Sequence, residues 1–238
     1  MRKQVKAFPA LDAMTTYAPE VHGDKVALVA DGSCWLEIAQ AAIALPDFGT
    51  TFDLHPEARA SIVTCLGNTQ FRKRWQLSFG HTPACPPSTD MPMAYMFGGP
   101  AEDVRKPLPP PLEPVFQHMK DVTGCPFNQG VVVWYGEGGD HMPPHQDWVH
   151  GMADGDLMRV STLTMCEGAP RHFCIMPVEA AMAKDATFPN GLAVPCDHGR
   201  IITMCGSAIH SSFVHGVPRL PTAGPSRRIS LTARRFVE

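Results

Sequence analysis

Residues 127–148, FNQGVVVWYGEGGDHMPPHQDW, decide the fold of this chain. The run VVVWY (131–135) is β-branched and aromatic, the composition of a strand. GEGGD (136–140) supplies the glycines and the aspartate of a tight turn. It lacks the G-x-G-x-x-G spacing of a phosphate loop and does not open a helix, so it reads as the turn of a hairpin. Pro143 and Pro144 then force the next segment to be extended. The same two prolines lie between His141 and His145 and exclude the helical H-x-x-x-H zinc site that this spacing would otherwise allow.

In an extended segment, His145 and Asp147 point to the same face, so one imidazole and one carboxylate can meet one ion. A third ligand must come from far along the chain. His215 in VHGVP is the better candidate, and His210 is its rival. Two histidines and a carboxylate form a facial set that leaves open positions on iron for a bidentate co-substrate and O₂.

Outward from this segment the pattern continues as short strands between Gly/Pro turns: RVSTLTM (159–165), GAPRHFCIM (168–176), GRIITMCGSA (199–208) and RRISLTARRF (227–236). The expected fold is mainly β with flanking helices (α+β), with a double-stranded β-helix or jelly-roll core. In the last strand Arg228, Ser230, Thr232 and Arg234 alternate with Ile229, Leu231 and Ala233, giving one cationic and one apolar face. The link GVPRLPTAGPS (216–226) is short enough to return this strand beside His215. A dicarboxylate that chelates iron through one end needs a cation for the other, and arginine offers a planar fork to it.

Upstream, KPLPPPLEP (106–114) is extended and leads into a helix near residues 115–121. Residues 26–29 read as a strand, and residues 33–45 as a helix capped by Ser33 with Leu36, Ala39 and Ile43 on one face. FRKRW (71–75) sets Arg72, Lys73 and Arg74 between aromatics, a candidate nucleic-acid contact as well as an ordinary solvated edge. The expected organisation is an N-terminal extension over residues 1–90, packed on the core and a candidate substrate lid, followed by a catalytic domain over residues 91–238.

Composition narrows the class further. The 24 prolines suit short strands and turns. A net charge of -3 supplies no global field toward nucleic acid or anionic membrane, so any polyanion site is local. Eight cysteines without a C-x-x-C pair read as reduced thiols in a cytoplasmic or nuclear protein. No apolar run reaches signal-peptide or membrane-spanning length, and no membrane partner is expected.

Taken together, HQD, the downstream HGV and R-x-S-x-T-x-R resemble the AlkB family of Fe(II)- and 2-oxoglutarate-dependent dioxygenases, in which H-x-D…H binds iron and an R-x-N-x-T-x-R strand binds the co-substrate. FNQGVVVWYGEGGDHMPPHQD, GAPRHF and GRIITMCGSAIHSSFVHGVP are similar to the family's surrounding segments, over roughly residues 91–236. The resemblance implies Fe(II) on His145, Asp147 and His215, with Arg228 and Tyr135 on the distal end of 2-oxoglutarate. Ser230 and Thr232 would belong to the same pocket, and Arg234 would support the iron-proximal end or the metal aspartate. It implies oxidative decarboxylation of 2-oxoglutarate with O₂, coupled to hydroxylation of a C–H bond. On an N-alkyl nucleobase the hemiaminal then collapses and restores the base.

Three positions depart from the family pattern. Ser230 and Val133 stand where asparagines are usual, removing two hydrogen bonds worth about 1 kcal/mol each. After Asp147 the chain reads Trp148-Val149-His150, where nucleic-acid-repairing members carry acidic residues. Trp148 and His150 are candidate substrate contacts, and Trp148 equally a core residue. The expected substrate is a nucleobase in DNA or RNA. A protein side chain, a small metabolite, or a non-catalytic binding module with this fold are the alternatives.

Overall fold

The structure, a computed structural model, describes residues 7–57, 61–63, 69–71, 74–80, 107–147, 152, 158–178, 184–206, 208–220 and 226–237. Its strands, in chain order, are β1 (Thr15–Thr16), β2 (Lys25–Ala27), β3 (Trp35–Gln40), β4 (Ser61–Val63), β5 (Thr69–Phe71), β6 (Trp75–Gly80) and β7 (Gln129–Tyr135). They continue with β8 (Met142–His145), β9 (Val160–Gly168), β10 (Arg171–Pro177), β11 (Leu192–Cys196), β12 (Arg200–Cys205), β13 (Phe213–Val217) and β14 (Ser226–Arg234).

Two large sheets face each other. One has seven strands in the order β2-β3-β12-β9-β14-β7-β6, and the other five in the order β1-β11-β10-β13-β8. Their pairings are antiparallel except β1 with β11. β4 and β5 form a separate hairpin. This is the expected jelly-roll architecture, with β1, β2, β3 and β6, all before residue 91, paired into the two large sheets.

Alternation along the strands distributes the side chains. Leu36 and Ile38 of β3, Val160 of β9 and Ile202 and Met204 of β12 pack against Phe173, Ile175, Leu192, Val194 and Phe213 of the opposing sheet, and this is the core between the layers. The opposite face of the seven-stranded sheet carries Val132, Trp134, Leu163, Met165, Ile229, Leu231 and Ala233. It is covered by the helix Glu113–Thr123, which buries Val115 and Met119 one turn apart. Pro114 starts this helix, where a missing N–H costs nothing, and Gly124 ends it in the left-handed conformation at φ 63°. The short helix Phe48–Phe52 covers the same face, and its Thr51 carbonyl accepts the indole N–H of buried Trp134 at 3.2 Å.

One expected element changes identity. Within residues 33–45, where the sequence reading places a helix, Trp35–Gln40 forms β3, because Cys34, Leu36 and Ile38 alternate into the core while the strand pairs along its whole length with β12. The helical spacing of Leu36, Ala39 and Ile43 is also present, but the edge of β12 offers a partner for every backbone group of a strand. The sequence reading places no strand at LAVPC, which is short and contains Pro195; Leu192, Val194 and Cys196 alternate into the core and β10 and β1 flank it as β11. The six described cysteines form no disulfide. Among the described residues, no helix is long and apolar enough to cross a membrane.

Candidate metal and co-substrate site

β8 and β13 pair antiparallel, and their register sets His145 directly opposite His215, with ring centroids 4.4 Å apart. The approach depends on Gly216: a Cβ there would lie 2.5 Å from the Met142 carbonyl oxygen and 2.8 Å from that of Pro143. β8 ends at His145, so Asp147 follows the strand instead of lying within it. It is brought to the histidines by a salt bridge from Arg234 of β14 to its Oδ1. Ligand atoms of His145, Asp147 and His215 all lie within 4.8 Å of one another. His215 Nε2 is 3.4 Å from Asp147 Oδ2, and the ring of His215 stacks on Phe173 at 5.7 Å.

The protonation states suit a cation. Burial opposes the Asp147 carboxylate, but Arg234 and the surrounding imidazoles outweigh it and hold its pKa well below the usual range. Burial, with the neighbouring His145, pushes His215 down to about 3, and burial likewise lowers His145. His145 Nδ1 lies 2.9 Å from the Pro143 carbonyl and donates to it, which leaves Nε2 as a lone-pair donor. His210 is a buried neighbour: its Nδ1 is 3.9 Å from Asp147 Oδ2, and neither ring nitrogen has a hydrogen-bond partner.

A second feature lies on the inner face of the opposing, seven-stranded sheet. Arg228 is directly opposite Tyr135 in register and its guanidinium sits 5.1 Å from that ring. Only 1% of Arg228 is exposed, yet its Nε and Nη1 have no partner, and Nη2 donates to Thr164 Oγ1 at 3.0 Å. Unmet buried donors cost about 1–3 kcal/mol each, more when charged, so this is a site made to be completed by an acceptor.

Two further buried arginines, Arg74 and Arg171, lie near Tyr135, and the carboxylate acting on both is Asp140. Arg171 donates to the carbonyls of Glu137, Asp140 and Pro218 at 3.2, 2.6 and 2.7 Å, tying the turn before β8 to the residue after β13. Arg74 turns inward and donates to the His141 carbonyl at 3.1 Å, which removes it from the solvent-facing basic edge expected of FRKRW. Arg72, Lys73, Trp148 and His150 lie outside the described residues.

Ser230 is buried between Val133 and Thr164 in register, and Thr232 bonds Thr162 through the two hydroxyls at 3.0 Å. Thr164, Arg171 and Asp140 were not selected as site residues from the sequence. Thr164 was detectable as the polar member of an alternating strand, but its proximity to Arg228 depends on the β9–β14 register.

The unsatisfied guanidinium nitrogens and the surrounding excess of positive charge fit a carboxylate, and the two imidazoles with one carboxylate fit a divalent first-row metal with open positions. Fold and site thus define a class, a double-stranded β-helix that gathers a His-Asp-His cluster and a buried cationic pocket between its two sheets.

No protein-family model matches the chain, and no curated protein matches it by sequence. Among solved structures it is similar to that described as the structure of OsALKBH1, at 15% identity and a TM-score of 0.51, covering 84% of this chain and 97% of that one. The likeness is one of fold, and the fold is AlkB-like.

Proposed function

We propose that this chain is an AlkB-like Fe(II)- and 2-oxoglutarate-dependent oxygenase that hydroxylates or demethylates a nucleobase in DNA or RNA. The observation that carries the reading is Arg228, a buried guanidinium with two unpartnered nitrogens, on the same strand face as Arg234, which binds the aspartate of the His-Asp-His cluster. His145, Asp147 and His215 would hold the iron. Arg228 and Tyr135 would hold the distal carboxylate of 2-oxoglutarate, with Thr164 fixing the guanidinium through its third nitrogen.

When bound, iron, 2-oxoglutarate and O₂ supply C–H hydroxylation coupled to release of succinate and CO₂. The protein's own part is placement. Arg234 orients Asp147, Pro143 fixes the His145 ring, and Phe173 supports His215. Val131, Val133, Val217 and Met142 form an apolar cluster with Tyr135, beside the Arg228 guanidinium, and keep that end of the pocket dry. The nucleobase assignment rests on the sequence resemblance.

Succinate release with Fe(II), measured across methylated oligonucleotides, nucleosides and proteins, tests the proposal. Release stimulated by an oligonucleotide supports it. Release stimulated only by a protein or metabolite moves the substrate class and keeps the oxygenase. Absence of anaerobic 2-oxoglutarate binding to the metal-loaded protein refutes the oxygenase itself.

A further inference from the structure

Gln129 begins β7 on the face shared with Val131, Val133 and Tyr135, the inner face of the sandwich. It is 1% exposed, and both Nε2 and Oε1 lack a hydrogen-bond partner. Register sets it opposite Arg234 of β14 on one side and Gly80 of β6 on the other. Arg234 is engaged with Asp147 through Nη2 while its Nε is itself without a partner, and Gly80 has no side chain to offer. Thr232, the next inner residue of β14, is engaged with Thr162. The strand continues with valines on this face, and another valine at 129 would avoid burying an unmet amide.

We propose that Gln129 reads the substrate, donating through Nε2 and accepting through Oε1 to a group with an acceptor and a donor side by side, as on the edge of a nucleobase. This rests on the oxygenase reading given above. A carboxylate would satisfy Nε2 alone, and an ammonium Oε1 alone. One residue of an extended peptide also turns its N–H and C=O to the same side, so the choice of a base over a peptide follows the nucleobase reading given above. A base edge meets both, in the way glutamine pairs with adjacent ring and exocyclic positions of adenine. The place is also apt: Gln129 adjoins Arg234, which carries the metal-site aspartate, so a base held there lies beside the centre that would oxidise it.

The test uses the full-length protein loaded with Mn(II) and 2-oxoglutarate without O₂, so binding is read without turnover, on a panel of methylated single-stranded oligonucleotides. Gln129→Leu should weaken oligonucleotide binding roughly 10- to 100-fold, as expected for loss of a bidentate base contact. It should leave 2-oxoglutarate affinity unchanged, and the thermal midpoint of the unliganded protein unchanged or higher. Gln129→Glu, which loses the donor, should alter the order of preference among bases.

Equal oligonucleotide affinity in wild type and Gln129→Leu overturns the proposal, as does a loss confined to 2-oxoglutarate binding. A wild type that binds metal and 2-oxoglutarate but no oligonucleotide overturns the assignment of Gln129 to a base and leaves the oxygenase reading standing. If wild type binds no 2-oxoglutarate, the oxygenase reading fails, and the oligonucleotide comparison, which needs no turnover, still judges Gln129.

Discussion

Replacing Arg228 by alanine should separate affinity from stability. In the folded protein this guanidinium is buried on β14, with one nitrogen on Thr164 and two without a partner. If a carboxylate completes it, alanine removes one member of a buried ion pair, a loss of about 3–5 kcal/mol. At 1.4 kcal/mol per tenfold, the dissociation constant for 2-oxoglutarate rises by roughly two to nearly four orders of magnitude. Arg228→Lys restores the charge without the fork and recovers part of the loss.

The unliganded protein should behave in the opposite sense. Arg228→Met removes a buried charge that has no carboxylate partner, so its midpoint in urea should equal or exceed that of wild type. Anaerobic titration of 2-oxoglutarate into the Mn(II)-loaded variants, alongside urea unfolding of the metal-free ones, measures both quantities. Wild-type affinity in Arg228→Ala refutes the co-substrate assignment. A large destabilisation of Arg228→Met with unchanged affinity shows that the arginine serves the fold alone.

Other consequences concern the metal cluster, the strand pair that carries it and the buried thiols. His145→Ala, Asp147→Ala and His215→Ala should each abolish Fe(II)-dependent succinate release while circular dichroism stays that of wild type; full activity in His215→Ala would transfer the third ligand to His210. Gly216→Ala should destabilise the protein by about 1–3 kcal/mol and weaken Mn(II) binding, because its Cβ meets backbone carbonyls of β8 and must part His145 from His215; unchanged metal affinity would show that β8 shifts without moving the histidine. Burial pushes the thiols of Cys174 and Cys205 up to about 12 from 9.0, so they should resist alkylation at pH 8 in the native protein and react once it is unfolded. In linkage terms the unfolded thiols lose their protons first, so their contribution to stability is present below pH 9 and falls away as pH rises toward 12, which urea midpoints across that range would register.

Much of the fold was legible because strand signals are local. The run VVVWY, the GEGGD turn and the alternating RRISLTARRF appear in the structure as β7, the turn after it and β14, since period-2 patterning and turn chemistry are properties of neighbouring residues. Where two periods coexist, local reading fails. Residues 33–45 satisfy a helical spacing and a strand spacing, and only the free edge of β12 selects between them. LAVPC alternates Leu192, Val194 and Cys196 into the core but is short and interrupted by Pro195, and the strands on either side make it β11.

The residue types of the site were visible in the same way: an H-x-D, a distant histidine and a strand with two arginines on one face. The sequence by itself determined this chemical inventory and the jelly-roll class that displays it. Tertiary structure alone decided the partnerships. The β8–β13 register sets His145 against His215, a salt bridge from β14 turns Asp147 toward them, and the inward turn of Arg74 withdraws it from the surface. It also decided which buried polar groups remain unmet, those of Arg228 and Gln129 among them. A residue's identity states what bonds it can form, but whether a neighbour forms them depends on strand register and on closure of the two sheets. Those are set by contacts between residues far apart in the chain.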